Sequence, residues 1–310
     1  KPEERDDIIE KAKGFIGFSK FSLKIFEDVV LNNKDYVDLI VNGPYSLKLH
    51  SMGLVDENNK VNFYDGKVRV VDISANEICK YAPNEYKDHI SERVEPWSYL
   101  KFPYLKQKGW KGFVDGQDSG VYHATPLSRL NAADGMATPL AQKEYEKMYE
   151  TLGGKPVHAT LAMHWARLIE LLYSAEHCLE LAEDEEITGK ELRAPLNNVP
   201  DEGVGIVEAQ RGTLTHHYWT DKKGIVKKAN IIVGTTNNNA AICMSLKKAA
   251  QGVIDEGVEV DEGILNMVEM AFRAYDPCFS CATHSLPGKM PMRVEFKRLD
   301  GSLVKTLSRK

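Results

Sequence analysis

The densest group of reactive side chains is Asp276-Pro277-Cys278-Phe279-Ser280-Cys281-Ala282-Thr283-His284. Cys278 and Cys281 form a C-x-x-C, a spacing that lets two thiolates converge on one metal ion, and thiolates suit zinc, nickel or iron. His284 adds a third donor of borderline softness. A four-thiolate site needs a second cysteine pair, and the remaining cysteines, Cys79, Cys178 and Cys243, are solitary. On the residues alone the pair reads as a metal site, a redox dithiol or an incidental spacing. A thioredoxin-like dithiol sits near the start of a βαβ unit, whereas this pair follows a helix near the chain end.

Three other segments carry candidate groups. In Glu208-Ala209-Gln210-Arg211-Gly212, between two strand-like runs, the bend either aims the Arg211 guanidinium into a cleft or leaves it at the surface. His216 and His217 alternate along a strand and point to opposite faces, so they do not share a metal and read as structural. Gly234-Thr235-Thr236-Asn237-Asn238-Asn239 lies between a strand and a helix, where small polar side chains cap the helix or bind anionic ligand atoms. His164 and Arg167, one turn apart on a helix, read as supporting or surface groups.

The elements that must position these groups follow from periodicity. Residues 7–32 predict a helix with Ile8, Ala12, Phe15 and Ile16 at helical spacing, although Gly14 and Gly17 each cost about 1 kcal/mol relative to alanine. In 43–80 the turn signals NGP, DENNK and YDGK separate short β-rich runs, VNFY and VRVV, which predict a small hairpin module. Residues 81–135 read as aromatic loop. After Pro156, the positions Leu161, Trp165, Leu168, Leu172, Ala175 and Leu179 make one apolar helical stripe. The acidic run 183–186 ends it as a solvated turn, because acidic groups sit badly at a helix C-terminus. Strands follow over 204–233 around a turn at 221–224, then helix over 240–275 with a stripe at Ile264, Val268, Ala271 and Tyr275. Pro277 stops that helix. Alternating runs about Asp300-Gly301 predict a final hairpin. The expected organisation is a helical segment 1–42, a small β insert 43–80, a core 81–284 carrying strands 204–233 and the cysteine motif, and a separate tail 285–310.

Composition narrows the class. With 310 residues, 43% hydrophobic and 27% charged, the chain is ordinary globular protein rather than disordered or fibrous. A net charge of −5 gives no basic field for nucleic acid or anionic membrane. No apolar run approaches the roughly 20 residues of a membrane span, and the polar start KPEERDDIIEK lacks the apolar core of a signal peptide. Five cysteines are too few and odd in number for a disulfide scaffold, so a reducing cytoplasm is expected. From 285 onward seven basic residues face two acidic ones, about +5, which leaves about −10 on the preceding 284 residues. The absence of an initiator Met is read as a fragment or a processed product.

Taken together and in this order, DPC-x-x-C-x-x-H, the EA-x-RG segment about 70 residues upstream and the intervening TTNN resemble the large subunit of the NiFe-hydrogenases. HWARLIELL and WSYLKFPY…PLSRLNAAD are similar too. The resemblance covers essentially the whole chain. Its flavour is that of the cytoplasmic, cofactor-coupled enzymes of methanogens and related anaerobes that do not reduce deazaflavin and feed a heterodisulfide reductase.

That resemblance implies a mainly α fold with small β inserts (α+β) around a helix-bundle core. It implies reversible heterolytic cleavage of hydrogen at a nickel–iron centre, with CO and cyanide on the iron. Cys278 resembles the terminal nickel thiolate and Cys281 the thiolate bridging nickel to iron. Arg211 resembles the arginine over the metals near a cyanide, and Asp276 its carboxylate partner. Thr235 matches a hydroxyl that bonds a cyanide, Leu214 an apolar wall near the carbonyl ligand, and His284 the last residue of the mature subunit, which binds magnesium (or iron). The implied partners are a small subunit, which alone carries the iron–sulfur clusters, an electron-transfer adaptor with its heterodisulfide reductase, and a maturation protease. The family's R-x-C-G-x-C segment and proton-relaying glutamate, nearer the N-terminus, are absent here, so the chain reads as the C-terminal two-thirds of such a subunit. Gln210 and Gly234 stand where the family commonly has proline. The 26 residues after His284 match an extension that the protease removes after nickel insertion; a retained tail packed on a partner is the alternative. Two further readings are a metal-free relative resembling the quinone-reductase subunit of this fold, and a zinc-binding module using Cys278, Cys281 and His284.

Overall fold

The computed structural model describes residues 1–193, 198–254, 259–283 and 292–309. Helix α1 (Pro2–Phe26) runs on through a π turn (Glu27–Leu31) into α2 (Lys34–Asn42), which Asn33 caps by accepting from the Asp35 N–H. The predicted stripe on α1 is only partly right. Ala12, Ser19 and Leu23 are buried, but Ile8 and Phe15 are exposed, beside the exposed Phe18 and Phe21. The bundle covers one narrow arc of the helix, and the ring of Phe15 falls just outside it.

Strands β1 (His50–Val55), β2 (Lys67–Val71) and β3 (Glu77–Tyr81) pair antiparallel. VNFY, expected as a strand, is instead a turn, because the Asn62 side chain accepts from the Tyr64 and Asp65 N–H groups. The true first strand, HSMGLV, has a polar start and a glycine and carries no alternation to betray it. Residues 81–135, expected as loop, contain α3 (Tyr86–His89), a hairpin of β4 (Ile90–Val94) and β5 (Lys101–Leu105), then β6 (Tyr122–His123) and α4 (Pro126–Ala132). β6 joins the first sheet parallel to β1, giving the order β3-β2-β1-β6. The aromatic residues of this stretch pack on one another, with Phe102 buried against Trp110 and Phe113.

Helix α5 (Pro139–Thr151) is followed by α6 (Met163–Glu183), the centre of the core, which packs against α1, α4 and α5. Leu161, Trp165, Leu172 and Ala175 of the predicted stripe are buried. Leu168 and Leu179 are half-buried, and the acidic run beyond the helix is exposed. The buried arc is wider than the stripe and includes two carboxylates, Glu170 and Glu176. Glu176 accepts from Thr138 Oγ1, Leu140 N and Ala141 N at the start of α5, where a negative charge meets the positive end of the helix dipole.

The meander of β7 (Glu202–Ala209), β8 (Gly212–Thr220) and β9 (Val226–Ile232) follows its predicted span. Its turn is tied by Asp221 Oδ1, which accepts from Lys223 N and Ile225 N. The helical stretch after it is two helices, α7 (Asn239–Val253) and α8 (Glu262–Arg273), with the cysteines on a short α9 (Phe279–Thr283). β10 (Met292–Lys297) and β11 (Leu303–Arg309) form the last hairpin, with Gly301 at φ +84° in its turn. Among the described residues no helix is long and apolar enough to cross a membrane.

Candidate metal centre

Backbone contact brings the three candidate segments together. Arg211 occupies the tight bend between β7 and β8, followed by Gly212 at φ +142°, a conformation that costs glycine little. Gly212 and Gly234 pack main chain to main chain; a Cβ on Gly234 would lie 2.9 Å from Gly212 N. Helix α8 stops three residues before Asp276, which has φ +47° and turns the chain back toward Arg211.

The 235–239 segment does not cap α7, which starts behind a 3₁₀ turn, Thr236–Asn238, with no side-chain capping bond. Its side chains bind distant main chain instead. Asn238 accepts from Ala124 N at 2.8 Å and donates to Ala124 O, Arg211 O and Gly234 O at 3.0, 2.9 and 3.2 Å. Asn237 donates to Thr213 O at 2.6 Å and accepts from Tyr122 Oη at 2.5 Å. All three asparagines are buried. They serve as a template for backbone that has no sheet partner, because buried main-chain groups must be paired.

On this frame Arg211 Nε donates to the Asp276 main-chain oxygen at 2.5 Å and pairs with its carboxylate at 3.0 Å. Thr235 Oγ1 accepts from Cys278 N at 3.1 Å, fixing the start of α9. The Cys278 and Cys281 sulfurs are joined to each other as a disulfide, with Cα atoms 5.3 Å apart. Arg211, Asp276, Thr235 and the cysteine pair are therefore one cluster. Leu214 lies half-buried on β8, three residues after Arg211, and does not line the cavity beside Arg211 and Asp276. His284 lies outside the described residues. His217 is buried and bonds Tyr86 Oη and Glu202, while the ring of His216 meets Tyr218 Oη, so both are structural as expected. Burial raises the thiols of Cys79, to about 11, and of Cys243, which makes both poor nucleophiles.

A cavity of about 400 Å³ adjoins the Arg211–Asp276 pair and is also lined by Arg129, Arg167, Glu170 and Glu208. Arg129, only 1% exposed, meets Glu170 through two bonds of 2.6 and 2.7 Å and Glu208 through one of 2.8 Å. Burial works against its charge, but Glu170 and Glu208 outweigh that and raise its pKa. Arg167 donates to Ala274 O at 3.0 Å; burial lowers its pKa against the pull of Asp276. His164, by contrast, is exposed. The sequence alone does not single out the Arg129 cluster. The available signal is a lone charge set between Leu127 and Leu130 in a short helix whose other residues are uncharged.

The donor chemistry suits a thiophilic metal: two sulfurs meet at one point, beside a fixed guanidinium. The disulfide form offers no thiolate, so binding needs the two-electron-reduced pair. Among the described residues no three histidine, cysteine, aspartate or glutamate side chains converge on one point, so two sulfurs are what this region provides.

Residues 17–284 match the family of nickel-dependent hydrogenases. The chain belongs to that family. It is 47% identical over 305 residues to an F420-non-reducing hydrogenase iron-sulfur subunit of Archaeoglobus profundus, covering 98% of this chain and 63% of the relative. It is 41% identical over 308 residues to an F420-non-reducing hydrogenase subunit of Methanothermobacter thermautotrophicus, covering 98% of this chain and 62% of that one. The chain thus spans somewhat under two thirds of the length of these curated relatives. Among solved structures, an NAD+-reducing NiFe-hydrogenase in the H2-reduced state superposes with a TM-score of 0.82 at 34% identity, over 91% of this chain and 60% of that one. The α+β architecture, helical core and small sheets, is that of this hydrogenase family, as the sequence led us to expect.

Proposed function

We propose that this chain supplies part of the protein grip on a nickel–iron centre in a hydrogenase large subunit, and that the assembled enzyme cleaves hydrogen reversibly. The observation that carries the reading is the cluster itself: the Arg211–Asp276 pair and the Thr235-anchored Cys278 beside Cys281, in a chain that belongs to the nickel-dependent hydrogenase family.

When bound, the centre supplies a Lewis acid and a redox couple for heterolytic splitting of hydrogen. Cys278 and Cys281 would hold it as thiolates, and Cys278 Sγ would be the general base for the proton. Arg211 would supply a positive charge that favours cyanide ligands on the iron, with the Asp276 carboxylate holding the guanidinium in place. The Thr235 hydroxyl accepts from Cys278 N, so its own proton would be free to bond a cyanide. Leu214 would form an apolar wall near the CO ligand, and His284 would bind magnesium or iron.

The partners we propose are an iron–sulfur small subunit that takes the electrons, an adaptor leading to a heterodisulfide reductase, and a protease that trims 285–310 from a unit whose core is 81–284. The names of the relatives, F420-non-reducing, agree with an acceptor other than F420. The proposed location is the cytoplasm.

The test is the complete complex. Its large subunit, separated from the clusters of the small subunit, should contain nickel and iron in about 1:1 ratio, the complex should reduce a dye with hydrogen, and Cys278→Ser should abolish both nickel and activity. An active serine variant, or zinc in place of nickel, would overturn the reading.

A further inference from the structure

We propose that Arg129 is a positioning residue for Arg211, an inference that rests on the role given to Arg211 above. A guanidinium has five N–H donors in a fixed plane, and here every one is used. Nε and Nη2 take the two oxygens of Glu170 at 2.6 and 2.7 Å. Nη1 takes Glu208 Oε2 and Ala209 O, both at 2.8 Å, and Nη2 reaches Gln210 O at 3.4 Å. The last two acceptors are the main-chain oxygens of the two residues immediately before Arg211. The cation therefore grips the bend that aims Arg211 without touching Arg211 itself.

The grip is anchored to the rigid core on its other sides. Glu170 comes from α6, and Glu208 Oε1 accepts from Leu54 N of β1 at 2.7 Å and from Thr213 Oγ1 of β8 at 3.1 Å. Gly53 lets β1 lie against the Arg129 backbone, since a Cβ there would meet Arg129 Cα at 2.7 Å. Asn238 holds the bend from the opposite side through Arg211 O. The oxygens of residues 209, 210 and 211 are thus fixed from two directions, leaving the Arg211 side chain a defined origin. Lysine cannot reproduce this, because a point charge with three donors cannot serve five coplanar acceptors.

The experiment uses the assembled hydrogenase. Arg129→Lys is expected to lower hydrogen-dependent dye reduction by about 10- to 100-fold per nickel bound, with nickel content near that of the parent and a lower thermal midpoint, because at least two of the five buried acceptors lose their donor. It should shift the nickel EPR spectrum in the same sense as Arg211→Lys. Amide hydrogen exchange at 209–212 should speed up while the rest of α4 and α6 stays protected. Parent-like activity with parent-like exchange overturns the proposal. So does a loss that merely tracks missing nickel, or exchange raised throughout the core, since either makes Arg129 a folding residue only. If the lysine variant does not accumulate, Glu170→Gln replaces it: faster exchange confined to 209–212 supports the proposal, and parent-like exchange overturns it. Full activity of Arg211→Lys would remove the reading of the site itself, and the exchange arm still reports on Arg129 separately.

Discussion

Arg211 and Asp276 meet through one donor and two acceptors of the same residue, with Nε at 2.5 Å from the Asp276 main-chain oxygen and 3.0 Å from its carboxylate. Asp276 itself adopts the left-handed conformation, with φ +47°. The pair is 37% and 48% exposed, so its net contribution to folding is at most about 1 kcal/mol, and the role proposed for it lies at the metal centre.

Asp276→Asn therefore separates the two roles. Asparagine tolerates the left-handed conformation and keeps an oxygen acceptor, but loses the charge. Hydrogen-dependent dye reduction should fall by about 10- to 100-fold, with the thermal midpoint nearly unchanged. A variant that melts much earlier would show that the carboxylate serves the fold instead.

The glycine-to-glycine contact sets a second expectation. Gly234→Ala pushes a methyl against Gly212 N and O, at 2.9 and 3.0 Å, and an overpacked site of this kind typically costs about 1–3 kcal/mol. Denaturant melts should show the loss, and nickel retention should drop with it because the contact joins the Arg211 bend to Thr235.

Asn238→Ala removes four bonds at once and strands the N–H and oxygen of Ala124. Each buried group left unpaired costs about 1–3 kcal/mol, so destabilisation by at least about 2 kcal/mol is expected. Asn238→Asp, which sets a buried carboxylate oxygen against three carbonyl oxygens, should be at least as destabilising as the alanine variant in the same melts.

Lys155 makes stability depend on pH. Burial lowers its pKa from 10.5 to about 8, partly opposed by Asp134. Between about pH 8 and 10.5 the unfolded chain binds more protons at this group than the folded one, so stability rises with pH through that window. Below about 8 both states carry the charge and the burial penalty stands in full. Lys155→Met should thus raise the melting midpoint at pH 7 and change it much less at pH 10.5. Ala133 O keeps a bond from Tyr145 Oη at 3.1 Å, and Tyr145 Oη, which loses the donor it has in Lys155, stays bonded through its own proton. Equal shifts at both pH values would assign the effect to packing rather than charge.

What could be read from sequence divides along range. The β7–β9 meander was legible because alternation and the Asp221 turn are local, and the α6 stripe because helical spacing is local. The hairpin of β4 and β5 was not, since Pro103 interrupts KFPYL; it sits opposite Glu92 in a two-stranded ribbon, where proline is tolerated. At the site, the motif around Cys278 and the Arg211 segment were visible as residue types, but not the Arg129 cluster, whose partners lie 41 and 79 residues away. The asparagines were misjudged for the same reason. A polar run before a helix reads as a cap, and only the folded chain shows that Ala124, 114 residues away, claims Asn238.

Arg129 takes hold of positions 209 and 210 only through carbonyl oxygens, and all amino acids carry that oxygen alike. Mutational drift at position 210 is therefore invisible to the clamp, which explains how glutamine can occupy it while Arg211 keeps its aim. The constraint that shapes this loop therefore rests on the distant cation and its two carboxylates, not on the identity of the loop residue they hold.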